Sequence, residues 1–145
     1  MVESIKVEIQ PLSVEAFRPY GQMLENKQPI FPEVEPGEGR VAIEVKHVKP
    51  RPETRQIHQM AIHFSYNQTY IPLRGSLVLV VAPAPRNRDA DQTVYQFDYE
   101  RVAGFILKLG QAAHIHKGVW HNTFMLGSEC TVINVTRKNP GEQLC

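Results

Sequence analysis

The stretch GQAAHIHKGVWHN, residues 110–122, gathers three histidines and the chain's only tryptophan around a glycine. Half of the six histidines fall there. In an extended segment His114 and His116 stand at i and i+2 and face one side, with Ala113 and Ile115 on the other. Gly118 permits a tight turn, from which His121 can swing back toward that side on the next strand. Converging imidazoles at a strand end can bind a metal through neutral nitrogen or move a proton near neutral pH. The same residues also suit an ordinary polar strand end. Trp120 reads as a core or rim packing residue ahead of a platform for a substrate.

The elements that must position these groups are mostly strands. Eleven prolines and nine glycines divide the chain into short pieces. Apolar alternation or β-branched enrichment predicts strands over 4–10, 40–48, 57–64, 76–82, 93–97, 104–109 and 131–136. One short helix is expected at 14–17, capped by Ser13 and ended by Pro19 or Gly21. Long loops are expected at 26–39 and 83–92. Many short strands with frequent turn signals make a sandwich or barrel, so the chain reads as all-β.

Length and charge narrow the function. With 145 residues the chain reads as one domain with room for a buried core. A net charge of +1 excludes a broad nucleic-acid or membrane footprint. Residues 1–10 lack the apolar core of a signal peptide, and the longest apolar run, 77–82, is too short to span a bilayer. The expected compartment is the cytoplasm. Of the two cysteines, Cys130 lies in an expected strand and Cys145 at the end, so no structural disulfide is expected. The Asn67 and Asn134 N-x-T matches are therefore read as coincidental.

The histidine turn resembles the second signature of the cupin superfamily. Gly110, Gly118 and His121 hold its positions, while His116 stands where proline is usual and Met125 where asparagine is usual. Upstream, MAIHFSYNQTYIPLRG (60–75) resembles the first signature, with His63 as its second histidine and Gly75 as its closing glycine. Ala61 replaces its first histidine and Gln68 its glutamate. QTYIPLRG, VVAP, HKGVWH and the opening PLSVEAFRPYG resemble the ureidoglycolate lyase family, in that family's order and across nearly the whole chain. There are departures: Ala61-Ile62 stand where the family often has Glu-Arg, and Val135-Thr136-Arg137 where it has Val-Asp-Arg. The 98–103 excursion is also longer.

The resemblance implies a single cupin-type jelly-roll barrel over 1–145, with an N-terminal strand and short helix ahead of it. It implies a carbon–nitrogen lyase acting on ureidoglycolate or a related small carboxylate and giving glyoxylate and urea. His116, His121 and Lys117 are the expected catalytic groups. Arg74, Gln68, Tyr70, His114 and Trp120 are expected to bind substrate, with Arg137 a further cation for its carboxylate. Tyr66 and Tyr95 could line the same cavity. Asn134 and Thr136 share one face of the last strand, and parity alone does not decide whether that face looks inward. A divalent metal, where one binds, would sit on His63 and His121 with Gln68 or one of His114 and His116 completing the set; nickel or zinc is expected ahead of iron or manganese, and no organic cofactor is expected. A homodimer is expected, with no nucleic-acid or membrane partner. The alternatives are a metal-dependent cupin dioxygenase or isomerase, and a cupin that only binds a small ligand.

Overall fold

Alternation of β-branched residues and turn glycines yields, among the described residues, seven strands and a single turn of α-helix. A computed structural model describes residues 4–25, 28–50, 56–87 and 94–139. The strands are β1 (Ile9–Pro11), β2 (Gly21–Met23), β3 (Arg40–His47), β4 (Gln68–Ala82), β5 (Ala103–Leu107), β6 (Ala113–Ile115) and β7 (Trp120–Lys138), with helix α1 at Val14–Phe17. They form one mixed sheet in the order β1-β5-β4-β6-β2, with β7 joining β4 to β3. Only β1–β5 is parallel. The all-β reading holds, including the N-terminal strand and the helix that Ser13 caps through its hydroxyl and the Ala16 N–H.

The differences lie in element length. The N-terminal strand covers only 9–11, because it pairs with β5 through Ile9, Gln10 and Pro11 alone. The expected strands at 76–82 and 131–136 are parts of β4 and β7, which pair with each other along most of their length. Residues 57–64 form no strand. Their one ladder contact is a bridge between Ala61 and His121, after which the chain turns and His63 receives the Gly118 N–H on its carbonyl. Residues 94–97 are also not a strand, and Thr93 lies outside the described residues.

The apolar run of β4 is buried on both sides, which is why it reads as continuous rather than alternating. Leu77, Leu79 and Val81 enter the main core with Phe17, Tyr20, Phe105, Leu107, Ile115, Met125 and Val132. Val78 and Val80 enter a second cluster with Phe124. Each such side chain contributes roughly 2 kcal/mol by leaving water. Cys130, a free thiol, is buried in the main core, and Cys145 lies outside the described residues. Among the described residues no helix is long and apolar enough to cross a membrane.

Two glycines shape the frame. At Gly21 a Cβ would fall on the His114 carbonyl, so its absence lets β2 lie close against β6. Gly75 has φ +73° and sits where the β4–β7 register shifts twice, between Pro72 and Arg74 and between Arg74 and Ser76. This bulge bends β4.

Strand β3 runs against the usual pattern. Its apolar residues Val41, Ile43 and Val45 are exposed, Ile43 at 74%. Glu44 instead lies beside Asn134, which lies beside Tyr70 on β4. Residues directly opposite one another in a ladder share a face, so Glu44 points the way Asn134 and Tyr70 do.

Candidate active site

Strand parity sorts the chemical residues into two groups. Gln68 and Tyr70 alternate with Thr69 along β4 and so project to the opposite face from it. His121 lies opposite Val81, a residue of the main core, and takes that interior side as well. Gln68, Tyr70, His121 and Asn134 are all buried. His63 joins them from the 57–67 segment. Its ring meets the His121 ring edge-on, with centroids 4.8 Å apart, and its Nε2 lies 3.0 Å from Gln68 Oε1.

A polar chain continues from there. Gln68 Nε2 donates to the Tyr70 hydroxyl at 3.0 Å and to Asn134 Oδ1 at 2.8 Å. Asn134 Nδ2 donates to Glu44 Oε1 at 2.9 Å, and Lys138 Nζ stands 3.5 Å from the other carboxylate oxygen. On its other side, His63 Nδ1 faces the Tyr66 carbonyl at 2.9 Å, and the Tyr66 ring stacks on the imidazole at 3.7 Å. The Arg137 guanidinium lies 4.6 Å from the centre of that same Tyr66 ring.

The two interior imidazoles differ in what they offer. His121 Nδ1 donates to the Val119 carbonyl at 3.0 Å, which leaves the Nε2 lone pair as the basic atom. Burial pushes its pKa down to about 4; His63 and Lys46 act in the same direction, against the bond to Val119. It is a neutral imidazole at neutral pH. Burial also lowers the pKa of His63, opposed by its contacts to Gln68 and to the Tyr66 carbonyl. Burial raises the Tyr70 pKa, so the phenol keeps its proton and can donate while accepting from Gln68.

The histidine turn itself is divided. His114 accepts or donates at 2.7 Å with Thr69 Oγ1, on the face away from Gln68, and its ring lies 6.2 Å from that of the exposed His116. Burial, reinforced by His116, pushes the His114 pKa to about 4. Trp120 precedes His121 in β7 and projects to the other face, where its ring meets Phe97 at 5.3 Å. Its indole N–H is buried with no hydrogen-bond partner among the described residues. So His114, His116 and Trp120, expected beside His121, are not brought to it.

The expected cations are spread out too. Lys117 is held by Glu33 at 3.0 Å and Glu35 at 2.6 Å, and those two carboxylates raise its pKa. Arg74 is exposed and 3.5 Å from Glu129, six residues along β4 from Gln68 and so about 20 Å away on an extended strand. Of the three cations, Arg137 is the one set against the ring stack that contains His63. Tyr95 packs on Phe64, and no contact joins it to the His63–His121 pair among the described residues.

Two of the three expected metal ligands, His63 and Gln68, are turned toward each other in this arrangement. Both His63 nitrogens face oxygen partners, and the Gln68 oxygen is already turned to His63. That leaves His121 Nε2 as the one uncommitted donor of the three. Among the described residues no three His, Cys, Asp or Glu side chains converge as a metal site.

Glu44 has no place among the site residues expected from the sequence, and Asn134 appears there only as conditionally inward-facing. Asn134 had been placed on one of two candidate faces, and the inward face is the one observed. Glu44 lies on a strand for which the sequence reading assigned no inward face. The signal that could have found it is the polar sequence Glu44, Lys46 alternating with Ile43 and Val45 opposite the polar face of 131–136.

A model of the ureidoglycolate lyase family matches residues 32–144, most of the chain. The chain belongs to the ureidoglycolate lyase family. It is 25% identical over 133 residues to proteins named ureidoglycolate lyase from Escherichia coli O9:H4 and Shigella flexneri, covering 81% of this chain and 78% of theirs. The structure is also similar to a dTDP sugar isomerase from Desulfovibrio desulfuricans G20, with a TM-score of 0.49 and 18% identity over 84% of this chain and 68% of that one. Ala61 contributes only backbone here, through its bridge to His121.

Proposed function

We propose that this chain is a carbon–nitrogen lyase that splits ureidoglycolate, or a closely related carbinolamine carboxylate, into glyoxylate and urea. The observation that carries the reading is His121, a buried neutral imidazole with its Nδ1–H fixed on a backbone carbonyl and its Nε2 lone pair free. Such an atom is placed to act as a general base. It takes the proton from the carbinol hydroxyl as the carbon–oxygen double bond forms. The carbon–nitrogen bond breaks with its electron pair going to the ureido nitrogen, and the imidazolium returns the proton to that nitrogen. The products are glyoxylate and urea, with no net change in protons.

The other residues bind and orient. Tyr70 keeps a hydroxyl hydrogen for the substrate, and the amides of Gln68 and Asn134 form the polar wall beside it. Arg137 supplies the positive charge near the site for the substrate carboxylate, in a forked geometry suited to it. In this reading His116 and His114 support the turn, Lys117 anchors the 33–35 segment, and no step runs through a metal.

The test is incubation with racemic ureidoglycolate while glyoxylate, urea and ammonia are measured together. Equal glyoxylate and urea without ammonia is the expected result. Ammonia in place of urea would make the chain a hydrolase, and binding without turnover would make it a ligand-binding member of the family.

The homodimer expectation finds support in β3. The exposed Val41, Ile43 and Val45 stand beside the half-buried Ile133 and Val135, forming an apolar band on a strand that pairs only with β7 among the described residues. Such bands and open edges are ordinarily covered. A second copy of this chain is the occupant we assign, since an antiparallel two-fold contact about Val45 would set Glu44 opposite Lys46 of the other copy. Ile43→Glu is expected to convert a dimer to a monomer in light scattering. A wild-type mass equal to one chain at high protein concentration would refute the assignment.

A further inference from the structure

Glu44 stands on β3, two hydrogen-bonded amides away from His63, yet every link between them has its direction set at the Glu44 end. An ionised carboxylate only accepts, so Asn134 must turn its amide nitrogen to Glu44. Its oxygen then faces Gln68, which must answer with its own amide nitrogen. That leaves the Gln68 oxygen pointing at His63 Nε2. Reversing both amides would press Asn134 Oδ1 against a carboxylate oxygen at 2.9 Å, two acceptors with no hydrogen between them. Lys138 Nζ lies 3.5 Å from the other oxygen of the same carboxylate.

We infer that Glu44 is a positioning residue that acts through Asn134 and Gln68 to hold the hydrogen of His63 on Nε2. The inference deepens the proposed lyase site and rests on it for its functional meaning. With Nε2–H committed to Gln68, His63 is a donor and not a free base, and the base role falls to the neighbouring His121. The local alternative for His63 is set by the Tyr66 carbonyl, which by itself would draw the hydrogen to Nδ1. The ring is therefore contested by two oxygens, and the relay from Glu44 decides between them. The other polar or charged groups around the ring are His121, Tyr66 and Arg137, and none of these reaches Nε2 with an acceptor in the described contacts.

The decisive measurement is nitrogen-15 NMR of the histidine ring nitrogens in the wild type, Glu44→Gln and Glu44→Ala, at one neutral pH. In the wild type His63 Nε2 is expected to show the protonated-nitrogen resonance. In Glu44→Gln the new amide can offer N–H to Asn134, the relay can reverse, and the protonated signal is expected to move to Nδ1 in a major fraction of molecules. Glu44→Ala should give the same shift and covers the case in which the glutamine variant folds poorly. An unchanged His63 pattern in either folded variant would overturn the inference. The readout is a ring resonance and not turnover, so it separates the two claims. A shift with no lyase activity keeps the relay and removes the lyase reading, whereas activity with no shift does the opposite.

Discussion

His121→Asn is expected to lower the rate of glyoxylate release by about 10²–10⁴, the usual contribution of a positioned proton-transfer group. Asparagine is the informative replacement. Its amide N–H can take the place of Nδ1–H on the Val119 carbonyl, a contact of 3.0 Å, while nothing replaces Nε2. The fold should persist, because the backbone bridge between residues 61 and 121 does not depend on the side chain. The effect should fall on kcat more than on KM, since the substrate contacts proposed for Arg137 and Tyr70 remain. Activity within a few fold of the wild type, in a variant with an unchanged melting temperature, would remove His121 as the base.

The second large effect is on stability in acid. His114 and His121 are both buried, and burial holds each pKa at about 4 in the folded chain. In the unfolded chain each titrates near the ordinary histidine value of about 6.5. Above that value both states are neutral and the pair contributes no pH dependence. Between about 6.5 and 4 the unfolded state binds protons that the folded state refuses, so stability falls as pH falls. The loss is about 3 kcal/mol for each ring by pH 4. His63, whose pKa is also lowered by burial, acts in the same direction. Domains of this kind are typically stable by only about 5–15 kcal/mol, so unfolding is expected near pH 4. Urea midpoints measured at steps between pH 7 and 4 should fall steadily below pH 6.5. His114→Gln should flatten the slope by about half. A midpoint constant across that range would contradict the burial of both rings.

The sequence carried the fold well where local signals decide. Ser13 marked the helix start, and Val41, Ile43 and Val45 marked β3 to within one residue of its end. The resemblance put His63 and His121 in one set, and their ring centroids lie 4.8 Å apart. The sequence failed where distant strands decide together. His114 and His121 are seven positions apart along the turn, but the partner of each is fixed by β4: Thr69 for one, Val81 for the other. The Glu44–Asn134–Gln68 chain spans 90 and 66 residues of separation and exists only because three strands share a register. No spacing in one segment encodes that.

Bulged β4 has one more consequence. Gln68 and Val81 are thirteen residues apart on one strand, which would be about 43 Å if it were straight. Gln68 nevertheless touches His63, and His63 touches His121, the residue opposite Val81. The two ends of a single strand thus meet across one imidazole, like the tips of a caliper whose pivot is the glycine at 75. Their separation amplifies any change of angle there, although Gly75 lies far from the chemistry. A swing of a few degrees at the pivot becomes a displacement of ångström size at the jaws, so the aperture of the site is a mechanical property of the bend before it is a property of any side chain that lines it.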